Sequence, residues 1–556
     1  MSTETRLSPF RRRRVALLAF LASLAFFASY ARFGNLTQDE GWLLQGSARV
    51  LQGEVPHRDF SSLYVPGQYY AVAAAMALFP DDLLAIRWLL CALLAWLVSL
   101  TFSIGARLMP PGYALGAAVT VMCVPGTWVK VAHSLGPWLV FGALIGWIER
   151  GGWRRLFATG SVAGLAAWFR QDTPVMAAAA AVMLLAALAT SGRRRPVAPA
   201  VAKAERSILE GVVFARDAGA VLLGAAVAAG AGLLLVASQV SLLDFFRQTL
   251  LLSTSDGAPD PRVLYSALRW SFAGLDPVAT RVAPLLCLLP VLLAASVLWW
   301  SAREMLRRRA TTTSAVAFAV ACLALLSAHQ LFHGASVYYR FLQVAPPVFL
   351  LWFFAASAAA ARIASGQDPW RKWAAWTTRV LAFLLPATLV WHVMQVPQRS
   401  DLPHFLVENT GSVMVRWHRT TPIRLWDRTF YTADWWGSQT SWLLAFLERN
   451  TQPGEPVLIL DRPAAAYYLA GRSNPTPMVR FAEDNLEYLG RERESVLKSG
   501  CRFAVVHQRF SEQVDTSGFW ARFLAARGQV VEGRGPFTVW KLARGGERRP
   551  PPAELP

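Results

Sequence analysis

Asp39 and Glu40 are adjacent carboxylates in the run Gly34-Asn35-Leu36-Thr37-Gln38-Asp39-Glu40-Gly41-Trp42, directly after the first long apolar stretch of the chain. Ionisable groups beside a membrane span are costly to place, so they usually have a task. A carboxylate there can take the proton from a hydroxyl or amine that attacks a carbon held at the membrane face. A positioned base of this kind contributes roughly 10² to 10⁴ in rate. Asp39 is the first candidate base and Glu40 the second. A structural reading stands beside this one: Thr37 as N-cap with Glu40 three residues on makes a capping box, and both acids suit a helix N-terminus. Such a helix would turn Trp42, Leu43, Val50 and Leu51 to its apolar face.

If the carbon under attack leaves a phosphate behind, cations must hold that phosphate. Arg is suited to this because its planar fork matches phosphate oxygens. Trp168-Phe169-Arg170-Gln171-Asp172-Thr173-Pro174 offers Arg170 for the phosphate and Asp172 to orient an acceptor or a metal. Its structural alternative is a local Arg170–Asp172 pair closing a turn. His333-Gly334-Ala335-Ser336-Val337-Tyr338-Tyr339-Arg340-Phe341 offers His333, Tyr339 and Arg340 just ahead of an apolar segment. There the alternative is a snorkelling Arg in an aromatic belt. His57-Arg58-Asp59-Phe60 adds Arg58 and His57, and His133 is a further, weaker candidate.

The elements that must carry these residues follow from composition. Of 556 residues, 54% are hydrophobic and 16% charged, against roughly 25% charged in soluble domains. This is a polytopic membrane protein. The net charge of +20 comes from short Arg runs between apolar segments, the pattern of loops facing anionic lipid, and not from one basic face for nucleic acid. Cys91, Cys123, Cys287 and Cys322 lie in apolar segments and Cys501 stands alone, so neither a disulfide framework nor a Cys-based metal site follows.

Arg11-Arg12-Arg13-Arg14 precedes the first span and places the N-terminus inside. The apolar run at 67–80 decides the remaining topology. At about 14 residues it is shorter than the roughly 20 a bilayer needs. If it does not cross, the basic clusters at 150–155, 193–195, 307–309 and 371–372 all face the cytoplasm. The expected spans lie near 15–31, 84–106, 112–131, 138–149, 156–169, 174–191, 217–238, 281–300, 312–331, 341–361 and 379–396, about eleven transmembrane helices. The expected organisation is a membrane module over 1–396 with a first outer loop near 32–83, then an extracytoplasmic soluble α/β domain over 397–544. A Pro-, Gly- and charge-rich tail over 545–556 reads as disordered. Pro456–Leu460, Phe503–Val506 and Phe537–Trp540 read as strands. Ala482–Lys498 reads as a helix stopped by Gly500.

The order and sidedness of these motifs resemble the GT-C superfamily of integral-membrane glycosyltransferases. Within it they are nearest the branch of protein O-mannosyltransferases, lipid A aminoarabinose transferases and bacterial galacturonosyl and mannosyl transferases. The residues that carry the resemblance are Asp39-Glu40-Gly41-Trp42, the Arg49-Val50-Leu51-Gln52-Gly53 helix end, Asp59-Phe60 and Tyr64-Val65-Pro66-Gly67-Gln68-Tyr69. Arg170-Gln171-Asp172-Thr173, Tyr339-Arg340-Phe341 with Pro346-Pro347, and Tyr467-Tyr468-Leu469-Ala470-Gly471-Arg472 add to it.

The resemblance implies transfer of a hexosyl or pentosyl group from a polyprenyl-phosphate-linked donor, with inversion. The acceptor would be a protein, lipid or polysaccharide outside a cell (inner or plasma) membrane, with Asp39 matching the catalytic acidic residue of the first outer loop, as general base. The second outer loop, Ala132-His133-Ser134-Leu135-Gly136-Pro137, lacks the acidic residue many relatives place there. A divalent metal therefore stays open, with Asp172 as a substitute ligand, and no other cofactor is implied. The competing class is a polytopic transporter or lipid flippase of envelope precursors, although the sequence has no inverted repeat or paired broken helices. A non-catalytic scaffold would tolerate loss of Asp39. The topology predicts that cysteine introduced at Ser61 reacts with a membrane-impermeant reagent from outside and at Ser191 only from inside. The opposite labelling would overturn it.

Overall fold

The structure is a computed structural model. It describes residues 7–29, 31–33, 38–62, 64–123, 130–191, 203–251, 277–307, 311–328, 337–365, 368–399, 420–460, 465–477, 486–508, 510, 515 and 518–543. The expected tail at 545–556 lies outside them.

Helices dominate the first 399 residues. In order they are α1 (Pro9–Ala28), α2 (Gln38–Leu51), α3 (Gly67–Leu78), α4 (Leu83–Leu108), α5 (Pro111–Cys123), α6 (Val131–Arg150), α7 (Trp153–Ala167), α8 (Thr173–Thr190), α9 (Lys203–Ala237), α10 (Leu242–Phe246), α11 (Pro277–Leu306), α12 (Thr312–Ala328), α13 (Val337–Ala364) and α14 (Pro369–Arg399). Each apolar stretch expected to span has its helix. Among the described residues, four helical stretches are long and apolar enough to cross a membrane: Leu83–Leu108, Val131–Arg150, Val212–Ala237 and Ala345–Ala364. Pro111–Cys123, Pro174–Thr190 and Thr312–Ala328 are shorter apolar helices. The run at 67–80 forms α3, whose 12 residues are too few to cross a bilayer.

The chain divides into two compact units. One comprises Met1–Ala31, Arg87–Leu235 and Thr254–Val413. The other comprises Arg32–Ile86, Val236–Ser253 and Met414–Pro556. The expected boundary ran along the chain at 396–397; in space, residues 32–86 are grouped with the C-terminal residues.

The helical unit starts with Ser8 accepting from the Arg11 N–H at 3.3 Å, with Pro9 in the first turn, where its missing N–H costs nothing. Polar side chains tie the helices where lipid offers no partner. Ser99 Oγ donates to the Ala16 carbonyl at 2.8 Å, and Trp138 Nε1 donates to Thr101 Oγ1 at 2.7 Å. The Arg107–Glu149 pair, at 2.7 Å, joins α4 to the C-terminal turn of α6. Small residues bring α7 and α9 together: a Cβ at Gly160 would collide with the Val221 backbone, and one at Gly224 with the Phe157 carbonyl.

The second unit holds a hairpin and a four-stranded sheet. Strands β1 (Thr420–Leu425) and β2 (Arg428–Ala433) pair antiparallel around Trp426, whose φ is 54°. Helix α15 (Asp434–Asn450) follows, then β3 (Leu458–Leu460), α16 (Ala465–Ala470), α17 (Leu486–Lys498), β4 (Phe503–His507), α18 (Phe519–Arg527), β5 (Gly528–Arg534) and β6 (Phe537–Leu542). The sheet order is β3-β4-β6-β5. Strands β3 and β4 are parallel, as a crossover through helices requires, and the remaining pairs are antiparallel. The three expected strands coincide with β3, β4 and β6, and the expected helix with α17 from Leu486 on, its start at 482–485 lying outside the described residues; Gly500 follows the helix at φ 68°. Leu458, Leu460, Ala504, Val506, Trp520, Phe523 and Leu542 form the core beneath the sheet.

Ser191 is buried, with its hydroxyl on the Leu188 carbonyl, so exposed Arg150 is the better position for cysteine labelling of the side expected to face inward. The α7–α9 contact yields a paired prediction. Gly160→Ala should lower the thermal midpoint, because overpacking costs about 1–3 kcal/mol and outweighs the roughly 1 kcal/mol that Ala gains as a helix former. Gly219→Ala, where a Cβ meets nothing within 4 Å, should leave the midpoint unchanged or raise it. Fluorescence-detected size exclusion after heating measures both.

Candidate functional site

Asp39 is the second residue of α2; its side chain lies outside the described residues, as does Thr37, the expected cap. Glu40, one residue on, is 1% exposed and engaged with a partner. The apolar face of α2 is carried by Trp42, Leu43 and Leu44, all buried. Leu51, expected on that face, is 49% exposed, because the helix is ending there, and Gly53 follows at φ 89°. Helices α2 and α3 meet so closely that a Cβ at Gly46 would enter the Tyr69 ring.

The loop after α2 is held by Arg49, which is 7% exposed. Its Nε donates to Glu54 Oε2 at 2.7 Å, its Nη1 to the Thr476 carbonyl at 2.8 Å and its Nη2 to the Asp59 carbonyl at 3.4 Å. The guanidinium also lies 4.8 Å from the centre of the Phe60 ring. Asp59 Oδ2 accepts from the Val55 N–H at 2.7 Å, closing a turn. Arg58 grips both Asp59 oxygens, at 2.9 and 2.7 Å, and these bonds hold the Asp59 carboxyl below the ordinary carboxylate range. Arg58 is thus engaged locally in an exposed pair.

His57 is 4% exposed with φ 69°. Its Nδ1 is 3.1 Å from Gln248 Oε1, Gln248 Nε2 donates to the His57 carbonyl at 3.1 Å, and the Ser62 N–H donates to the same Gln248 oxygen at 3.2 Å. Burial lowers the His57 imidazole to about 4, so it is neutral at physiological pH. Gln248, nearly two hundred positions away along the chain, had no sequence signal.

In the helical unit, two separately noted segments come together. Arg170 and Asp172 form a bidentate pair, Nε–Oδ1 2.6 Å and Nη2–Oδ2 2.7 Å, the local geometry that the structural alternative anticipates. Buried His133, whose Nδ1 is 3.0 Å from the Lys130 carbonyl, is within electrostatic reach of Arg170, Lys130 and Asp172. Lys130 is 8% exposed. Its sequence context carries no signal of this, because it precedes His133 in an apolar stretch where a single Lys reads as an end-of-span residue. Tyr339 and Arg340 sit in the first turn of α13, but their side chains lie outside the described residues, and so does His333 entirely. Among the described residues no group of three His, Cys, Asp or Glu side chains is gathered as a metal site.

No family model matches the sequence, and no curated protein matches it. The structure, however, is similar to ArnT from Cupriavidus metallidurans, crystallised bound to undecaprenyl phosphate, with a TM-score of 0.50 at 13% identity over 96% of this chain and 97% of that one. The chain shares the overall fold of that protein. The Archaeoglobus fulgidus oligosaccharyltransferase, in a complex with Zn and sulfate, is similar at a TM-score of 0.46 and 13% identity, over 95% of this chain and 73% of that one. At such identity the GT-C likeness speaks to architecture.

One buried acid in the second unit yields a pH prediction. Glu492 is 2% exposed, its Oε2 has no hydrogen-bond partner among the described residues, and burial pushes its carboxyl up to about 8. The folded state therefore keeps this proton up to about pH 8, whereas the unfolded chain releases it near the ordinary carboxylate value. Stability from this group falls as pH rises through that window and is level above it. Glu492→Gln should flatten the profile and stabilise the protein at pH 8 by about 2–4 kcal/mol, read as a higher thermal midpoint. A midpoint lowered equally at pH 5 and pH 8 would contradict this.

Proposed function

We propose that the protein is a membrane glycosyltransferase that moves a sugar from a polyprenyl-phosphate-linked donor to an acceptor outside the membrane. The observation that carries the reading is the GT-C fold, matched nearly end to end with ArnT, whose structure holds undecaprenyl phosphate. The order of the sequence motifs supports it, with Asp39 and Glu40 at the start of the first outer-loop helix.

In this mechanism Asp39 takes the proton of the acceptor hydroxyl or amine as that atom attacks the anomeric carbon. The carbon–oxygen bond to the lipid phosphate breaks, and its electron pair leaves on the phosphate. Configuration inverts because attack and departure are on opposite faces. The polyprenyl phosphate then carries the negative charge that built up in the transition state, so cations placed for it act on the rate as well as on binding. Arg340 and Arg170 are the proposed phosphate holders, with Tyr339 and His333 beside Arg340 in sequence. The buried Lys130 near Arg170 supports a positive patch larger than either motif alone. Asp172, paired to Arg170, keeps that guanidinium in one orientation and moderates its charge until a phosphate competes for it. Arg58, exposed and paired to Asp59, is the weakest of these assignments. The N-terminus lies in the cytoplasm and the C-terminal sheet domain outside the membrane. Hexosyl or pentosyl identity, and whether a divalent metal assists at Asp172, belong to the same proposal.

Asp39→Asn in the purified, folded protein should slow release of polyprenyl phosphate from a labelled lipid-linked sugar by about 10² to 10⁴, with lipid binding preserved. Unchanged turnover would remove Asp39 from its role. Movement of a labelled solute into liposomes without any glycosidic product would favour the transporter class instead.

A further inference from the structure

Gln248 joins two stretches of the second unit that are far apart in sequence, residues 57–62 and the turn that follows α10. It belongs to a π-helical turn, Arg247–Leu251, a rare form that is frequent at functional sites. The turn is tied to α10 by buried Thr249, whose Oγ1 donates to the Phe245 carbonyl at 2.8 Å. Phe245 is buried too, and it packs edge-on to the His57 ring at 5.0 Å.

Two backbone groups fix which way the Gln248 carboxamide faces. The Ser62 N–H can only donate, so the atom it meets at 3.2 Å is the oxygen. The His57 carbonyl can only accept, so the atom it meets at 3.1 Å is the nitrogen. The oxygen has a second lone pair, and it takes a hydrogen from His57 Nδ1 at 3.1 Å. One side chain therefore sets the imidazole tautomer and holds the backbone at both 57 and 62. His57 stands at φ 69°, a conformation that persists away from glycine only where the surroundings over-determine it.

Ser62 passes the constraint on. Its hydroxyl accepts from the Tyr64 N–H at 3.0 Å and lies 2.9 Å from the Tyr69 hydroxyl. The Tyr69 ring is the one that a Cβ at Gly46 would enter, so it rests against the middle of α2. Asp39 is the second residue of that helix. Gln248, Ser62, Tyr69 and Gly46 thus form one series of contacts, all within a single compact unit, that ends on the helix carrying the candidate base.

We infer that Gln248 is a positioning residue for the proposed transfer: it braces residues 57–62 against the π-helical turn and, through Tyr69, fixes where α2 presents Asp39. The inference rests on the glycosyltransferase reading.

The test uses the full chain in phosphatidylcholine nanodiscs. Undecaprenyl phosphate mannose, glucose and galactose serve as labelled donors, and envelope extract supplies the acceptor. Gln248→Leu should lower kcat per folded molecule about tenfold to a hundredfold, the cost of misplacing a reacting group by about 1 Å, with KM for the donor unchanged. Gln248→Glu supplies a readout that loss of stability does not move. Its protonated carboxyl can donate to the His57 carbonyl and accept both N–H groups, whereas its ionised form sets a lone pair against that carbonyl. Activity of Gln248→Glu relative to the parent should therefore be near normal at acid pH and fall toward that of Gln248→Leu as pH rises. This variant, isosteric with the parent, also keeps the test intact if Gln248→Leu folds poorly. Hydrogen exchange should quicken in Gln248→Leu both at 57–62 and in α2. With an active parent, unchanged kcat per folded molecule, a Gln248→Glu to parent ratio that is flat with pH, or faster exchange confined to 57–62 would each overturn the inference. A parent that turns over none of these donors would instead count against the glycosyltransferase reading, and exchange in α2 would then decide for or against the brace by itself.

Discussion

The loop that follows α2 is organised around a buried guanidinium. Arg49 projects from the end of α2 and reaches Glu54 and Asp59 in its own loop and Thr476 in the C-terminal residues. A buried cation is tolerable only when paired and fully hydrogen-bonded, and the partners here come from segments more than four hundred residues apart. The requirement works in both directions: the guanidinium needs those carbonyls, and the loop acquires one shape by supplying them. Other links act in parallel. The Ser61 N–H donates to the Pro477 carbonyl at 2.7 Å and the Tyr431 N–H to the Arg32 carbonyl at 2.9 Å. Arg428 pairs with Asp82 at 2.6 Å, and Phe33 stacks on Tyr431 at 4.9 Å. Both ends and the middle of residues 32–86 are therefore fastened to C-terminal residues of the same unit.

This fastening gives the C-terminal residues a physical role that does not require them to bind anything. A helix of 14 residues is marginal by itself in water, and α2 carries the candidate base on its first turn. Preorganisation needs the first turn of such a helix to stay put. The anchoring of Arg49 and the close approach of Gly46 to Tyr69 supply that rigidity at a distance from the reacting groups.

Much of this was legible in the sequence, for reasons that differ by element. The apolar helices and their order could be read because long apolar runs have few other uses, and four of the described stretches are long enough to span. Strands β3 and β4 could be read because they are short, almost wholly buried apolar runs, and β6 because buried Phe537 and Val539 alternate with less buried residues. The hairpin β1–β2 could not: Thr420–Leu425 mixes polar and basic residues, and its turn places Trp426, a bulky residue, at positive φ, where sequence rules expect Asn or Gly. The Arg170–Asp172 pair was legible because its partners are two residues apart, and its neighbours Lys130 and His133 were not, because the helices that gather them are distant in sequence.

Arg49 shows where single-sequence reading stops. As a residue it reads as an ordinary cation in the last turn of a helix, where it suits the helix dipole. Its partners are two backbone carbonyls and one carboxylate, and a carbonyl has no residue identity to leave in the sequence. The same holds for Gln248 on His57 and for Arg472 on Leu447. Interactions between a side chain and distant backbone are therefore the least visible in sequence. In this protein they are also the ones that hold the loop after α2, so its candidate residues could be named from the sequence while the means of keeping that loop rigid could not.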